Sequence, residues 1–219
     1  MMVSPLLEVS HEIEQDIITE EATGKKNYFL KGIYSQCEMR NGNGRTYPFN
    51  LMQREVNKLQ EKISSKVAFG EFGHPSEIKD LPNINVERTS HRIVEIRSDG
   101  KNFVGKSVLI PVGLGEMAIN MIDTGGVLSV SSRGVGKVNK QTGIVENSYR
   151  MFTYDLVFSP GMEGANQTAI LENKEFFVNE KAFFNEEEWK NIEKNRSKIS
   201  ESILIQYDIL STLNNLRKI

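Results

Sequence analysis

The stretch "VERTSHRIVEIRSDGKNFVGKSVLI", Val86 to Ile110, decides the fold class. Two runs rich in β-branched and apolar residues, 86–98 and 102–110, flank an Asp99-Gly100 pair. Asp-Gly between such runs signals a tight hairpin turn, because glycine takes the positive-φ backbone that the turn demands at little cost. An antiparallel sheet is therefore expected around this hairpin.

On the N-terminal side, "KVAFGEFGHPSEIKDLPNIN" (66–85) starts as a short strand and becomes a loop studded with Gly and Pro. Before it, "FNLMQREVNKLQEKISS" (49–65) carries apolar residues at Leu51, Met52, Val56, Leu59 and Ile63, which is helical spacing, with Asn50 as a candidate N-cap. "RNGNGRTYP" (40–48) is a turn-forming loop, and "NYFLKGIYSQCEM" (27–39) is a strand by its aromatic and β-branched content. Residues 1–24 are mixed and polar and are expected to form a flexible leader. On the C-terminal side, "GLGEMAINMID" (113–123) reads as a short helix stopped by Gly125-Gly126. Strands follow, from Val127 to about Val138 and over 144–160, joined by "NKQTG". From Glu163 the pattern becomes helical. Residues 185–219 form an amphipathic stretch whose acids lead and bases trail, in accord with a helix dipole.

The expected architecture is mostly β with flanking helices: a closed, antiparallel-rich barrel over 25–175, preceded by the leader and followed by a helical segment over 176–219. A chain of 219 residues can bury a substantial core. Its 27 basic and 29 acidic residues give no reason to expect a membrane partner or a direct nucleic-acid role. The lone Cys37 excludes an intrachain disulfide framework and suits a reducing compartment.

Candidate chemistry is sparse. Of three histidines, His11 falls in the leader and His91 within a strand, while His74 sits on a loop between glycine and proline. Ser131 or Ser132, in "VLSVSSRGVG", paired with His74 would supply a nucleophile and a base. A strand serine on a wet face is the ordinary alternative. Asp155 interrupts the aromatic and aliphatic run "FTYDLVFSP", and a carboxylate there is costly unless paired. It is the candidate for orienting the imidazole. The "SSRG" segment reads as a tight turn whose backbone N–H groups would face an oxyanion. A metal set of Glu71, His74, Cys37 and His91 is the weaker alternative, since Glu71 and His74 share a Gly-rich loop and no CxxC or HExxH occurs. No metal and no cofactor is expected.

Four motifs, in order, resemble the prohead maturation proteases of tailed bacteriophages, of the T-even type. They are "NGNGRTYP" (41–48), "GEFGHP" (70–75), "SVSSRGVG" (129–136) and "DLVFSP" (155–160), with the hairpin between the second and third. The resemblance spans about residues 28–165. It implies a serine endopeptidase with a fold similar to herpesvirus assemblin. It assigns the base to His74 and the nucleophile to Ser131, with Ser132, Arg133 and Gly134 as neighbours that shape the oxyanion site. Asp155 is taken as third member, with His91 in reserve. The implied substrates are phage scaffold, core and capsid proteins, cut inside the prohead within the host cytoplasm. T-even-type enzymes favour a bond after Glu, with Leu or Ile two residues earlier and a small residue after. "ISES" fits, so self-cleavage between Glu201 and Ser202 is expected; "LLEV" at Glu8 fits less well because Val9 is not small. Two other readings are a catalytically silent prohead core or scaffold protein of the same fold, and a serine hydrolase acting on a non-peptide ester. Whether copies associate into a homo-oligomer is left open.

Overall fold

The computed structural model describes residues 2–10, 13–19, 26–158, 176–178 and 183–184, and isolated positions at 187, 190, 191 and 194. The chain divides into a large unit, Met2–Glu175, and a small one that includes Phe176–Ile219. The large unit contains strands β1 (Met2–Ser10), β2 (Ile13–Thr19), β3 (Lys26–Gln36), β4 (Phe69–Glu71), β5 (Thr89–Asp99), β6 (Asn102–Leu109), β7 (Leu128–Gly136) and β8 (Arg150–Phe158). Helices α1 (Phe49–Ser64) and α2 (Gly113–Asp123) complete it, with short 3-10 turns at Ile78–Asp80 and Val86–Arg88. No helix among the described residues is long and apolar enough to cross a membrane.

The hairpin that decided the fold class forms as expected. β5 and β6 pair antiparallel from Asp99↔Asn102 outward, and Gly100 takes a positive φ of 59°. Along β6 the buried positions alternate, Phe103, Gly105, Ser107 and Leu109, the pattern of a half-buried strand. Tyr34 of β3 lies against Gly105 and donates its hydroxyl to Ser107 Oγ at 2.8 Å. Helix α1 buries Leu51, Met52, Val56 and Leu59 from its apolar stripe. Asn50 is not its cap: Pro48 holds that position, and the Phe49 N–H donates instead to Glu38 Oε1 at 2.6 Å.

The strands of the large unit run in two antiparallel series, β1-β7-β8 and β2-β3-β6-β5-β4. The sequence reading anticipates one closed barrel; the described ladders do not close. β4 is only three residues long, and the chain leaves it to make a single parallel bridge, Phe72↔Leu156, with β8. The core between the two series is tied by Tyr154 of β8. Its ring meets Tyr34 edge-on at 5.1 Å, and its hydroxyl lies 2.8 Å from Ser35 Oγ.

Residues 2–10 are not a loose leader. They form β1, which pairs with β7 in continuous register from Ser4↔Gly136 to Ser10↔Val130 and buries Leu6 and Leu7. Pro5 hides this strand in the sequence, since proline ordinarily argues against a paired strand. The C-terminal segment also departs from expectation at its start. Phe176–Val178 and Phe183–Phe184 are short antiparallel strands, where helix is expected from residue 176. Most of the expected helix, with Glu201 and Ser202, lies outside the described residues, as does His11.

At Gly70 of β4 the two series approach closely. A methyl group there would run into the Tyr154 carbonyl oxygen and the His91 ring. Gly42, on the 41–48 loop, has no neighbour within 4 Å of such a methyl. Gly70→Ala is therefore expected to cost more than about 2 kcal/mol by urea denaturation, and Gly42→Ala well under that. Equal midpoints for the two variants would contradict the packing described.

Candidate active site

Two strands and one loop build the site. The β7–β8 ladder sets Ser131 opposite Asp155, and Arg133 two residues further along the same face. The loop after β4 brings the third side chain. The Phe72↔Leu156 bridge and a hydrogen bond from Gly73 N–H to Leu156 O (2.7 Å) fasten this loop to β8. Gly73 then turns the chain with a φ of 74°, a conformation that favours glycine, and delivers His74 over the ladder.

The three side chains make one line of contacts. His74 Nε2 lies 2.7 Å from Ser131 Oγ, and His74 Nδ1 lies 2.7 Å from Asp155 Oδ2. Ser131 and Asp155 are fully buried, and the His74 side chain is 5% exposed. Asp155 Oδ1 accepts the Glu71 N–H at 2.9 Å. Arg133 Nε stands 3.1 Å from Asp155 Oδ2, an ion pair without hydrogen-bond alignment. Arg133 Nη1 donates to Glu71 Oε1 at 3.2 Å. Glu71 also accepts from Asn85 N–H at 2.9 Å and from Arg88 Nε at 3.1 Å. Arg88 Nη2 caps the carbonyl of Phe72 at 2.7 Å, bracing the loop that carries His74.

Burial pushes the Asp155 carboxyl upward. The Arg133 charge, the bond and charge of His74 and the Glu71 N–H together outweigh it and hold the group below its ordinary value. A buried carboxylate kept ionised and aimed at Nδ1 fixes the imidazole tautomer that leaves Nε2 free to accept a proton.

The neighbours differ from the sequence reading. Residues 129–136 stay in strand, with no turn at "SSRG", because β1 and β8 pair with both edges of β7. A strand paired on both edges spends its N–H groups on the ladders. Ser132 and Gly134 project to the opposite face from Ser131; Tyr149 packs against Gly134. The Arg133 side chain lies beside Asp155. His91, the reserve third member, is a layer away: its Nδ1 is 3.0 Å from Ser90 Oγ, and its ring backs onto Gly70. Glu71, His74, Cys37 and His91 do not gather as a ligand set, and among the described residues no three His, Cys, Asp or Glu do. Glu71 and Arg88 were missed as partners of the site. A glutamate inside "VAFGEFG" carried the available signal, since an acid in an apolar segment needs a counter-charge.

The profile of one family, described as prohead core protein serine protease, matches residues 3–175. The chain belongs to that family. This protease is 28% identical over 150 residues to the prohead core protein protease of Enterobacteria phage T4, covering 64% of this chain and 68% of the relative. Its fold is similar to that of the bacteriophage T4 capsid assembly protease, with a TM-score of 0.64 and 24% identity over 72% of this chain and 99% of the other.

His91 gives the protease a pH signature. Burial lowers its imidazole from 6.5 to about 4, with Arg133 adding to the effect and Asp155 and the Tyr154 backbone opposing it. Between those values the unfolded chain binds the proton and the folded one does not, so stability is full above about pH 6.5 and falls as pH drops toward about 4. Asp155, with its lowered value, adds a loss only below the ordinary carboxylate range of about 4. His91→Gln is expected to flatten the stability–pH slope in this window by up to ~1.4 kcal/mol per pH unit. Denaturation midpoints measured across the window check this; an unchanged slope would refute it.

Proposed function

We propose that this protease cuts prohead core, scaffold and capsid proteins, with Ser131 as nucleophile, His74 as general base and acid, and Asp155 as the group that orients His74. The reading is carried by the line of contacts from Ser131 Oγ through His74 to Asp155, each 2.7 Å. His74 Nε2 takes the hydroxyl proton as Oγ attacks the peptide carbonyl carbon. Asp155 accepts the Nδ1–H throughout and stabilises the imidazolium without taking its proton. The tetrahedral intermediate collapses, the C–N bond breaks, and His74 passes its proton to the leaving amine. Water, deprotonated by His74, then releases the acyl group from Ser131. Ser131 is enclosed in this structure, so the reading includes an opening step before substrate is cut.

The proposed preference is for a bond after Glu, and the chain carries a site of that form at Glu201–Ser202. Self-cleavage there would release residues 202–219, the distal part of the segment that follows the family match at residue 175. Glu8 is a poor site for a second reason besides Val9. β1 is paired with β7 from Ser4 to Ser10, and the Glu8 carboxylate is held by Arg45 at 2.8 Å, Asn43 at 2.7 Å and Tyr47 at 3.0 Å. The place of action is the prohead interior, in the cytoplasm of the infected host.

Intact-mass measurement over time tests this. The parent is expected to shorten at Glu201–Ser202, and Ser131→Ala to remain whole, with a rate lower by on the order of 10⁴-fold or more. Ser132→Ala, altered on the core face, is expected to keep cutting. Equal shortening of parent and Ser131→Ala would overturn the assignment of the nucleophile. Shortening of Glu201→Gln at the same bond would overturn the cleavage preference.

A further inference from the structure

We infer that Arg133 is a positioning residue for the proteolytic reaction, its buried guanidinium holding Asp155 in the ionised, oriented form that keeps His74 Nε2 free. The inference rests on the roles proposed above for Ser131, His74 and Asp155.

Arg133 is fully buried, as are its partners Asp155 and Glu71. Its Nε faces Asp155 Oδ2 at 3.1 Å, and that same oxygen meets His74 Nδ1 at 2.7 Å. Its Nη1 is anchored on Glu71 Oε1 at 3.2 Å, while Nη2 has no hydrogen-bond partner among the described residues. Enclosing a cation with a donor unspent is costly, and an apolar side chain of similar volume commonly serves packing as well or better. Packing therefore does not account for an arginine here. Its location does: alternation along β7 puts it on the face of Ser131, behind the carboxylate that addresses His74.

The chemistry follows from counting protons on the His74–Asp155 pair. In the working state the pair holds one, on Nδ1, and Nε2 is open. A second proton can sit in two ways: as imidazolium beside carboxylate, or as a carboxylic acid donating to Nδ1 with Nε2 protonated. Both occupy Nε2 and stop the reaction. A fixed positive charge beside Oδ2 opposes both, because it disfavours any added proton on the pair. Arg133 itself exchanges no proton.

The other charged groups around Asp155 are accounted for. Glu71 approaches from β4 and is held by Arg88 as well as Arg133. His91 approaches from β5 and stays neutral above about pH 4. Burial and, after it, the Arg133 charge lower the Lys62 ammonium of α1.

The test is the rate at which a fluorophosphonate labels Ser131 in the full-length protein, measured from about pH 5 to 9, the range in which imidazole titrates. Labelling forms the Oγ–P bond, expels fluoride and sends the hydroxyl proton to His74, so it reports the free base without knowledge of the natural peptide. In Arg133→Met the acid limb is expected to move up by about 1–3 pH units. Arg133→Lys, which restores a cation, is expected to bring it back toward the parent. Coincident acid limbs for parent and Arg133→Met, whatever their plateaus, would overturn the inference. If Arg133→Met does not fold, the same displacement is read between Glu71→Gln and Glu71→Gln/Arg133→Met, where no buried glutamate is left without its cation. Failure of the underlying reading looks different: Ser131→Ala would label as fast as the parent.

Discussion

The β7–β8 ladder sets Ser131 directly across from Asp155, and the rest of the site depends on that register. Side chains alternate along a strand, so Ser131, Arg133 and Asp155 share one face while Ser132 and Tyr154 share the other. A slip of one residue would turn Ser131 into the core and bring Ser132 to His74. Two features oppose such a slip. β1 pairs with the other edge of β7 over seven positions, so both ladders would have to move together. On the core side, the Tyr154 contacts with Tyr34 and Ser35 hold β8 against β3.

Charge imposes the second constraint. Asp155, Glu71 and Arg133 are buried side by side, with Arg133 ion-paired to both carboxylates. Such groups add little net stability over apolar ones, but removing a single member leaves an uncompensated buried charge. The network extends outward through Arg88, which also grips the carbonyl of Phe72. The strand carrying Asp155 and the loop carrying His74 are thus joined through one set of ions. Backbone and side-chain constraints converge on the same three atoms, Oγ, Nε2 and Oδ2.

Local structure was the most legible part of the sequence. The β5–β6 hairpin rests on an Asp-Gly turn and nearby alternation, and α2 on a short apolar period closed by glycines; both are decided within a few residues. His74 was readable as a candidate from its glycine and proline neighbours, and Asp155 from its apolar surroundings. The choice of Ser131 over Ser132 needed the family resemblance, because alternation orders the faces without saying which one meets the histidine. What stayed hidden is non-local. β1 carries Pro5 and looks irregular until β7, more than a hundred residues later, supplies its partner. "SSRG" looks like a turn until both strand edges are seen to be occupied. Arg133 reads as a neighbour of the oxyanion because its true partners, Glu71 and Asp155, come from separate elements.

The pairing of β1 with β7 also bears on when this molecule becomes a protease. The first strand leaves the ribosome long before its partner exists, and it waits through the synthesis of residues 11–127 without its native edge. Asp155 arrives later than Ser131, on β8, which pairs with the other edge of β7. Contacts this distant along the chain are formed late and slowly in folding. The line of contacts from Ser131 through His74 to Asp155 is therefore absent from any nascent chain shorter than about the end of β8. Topology alone keeps a polypeptide that has not yet grown past β8 from assembling this line.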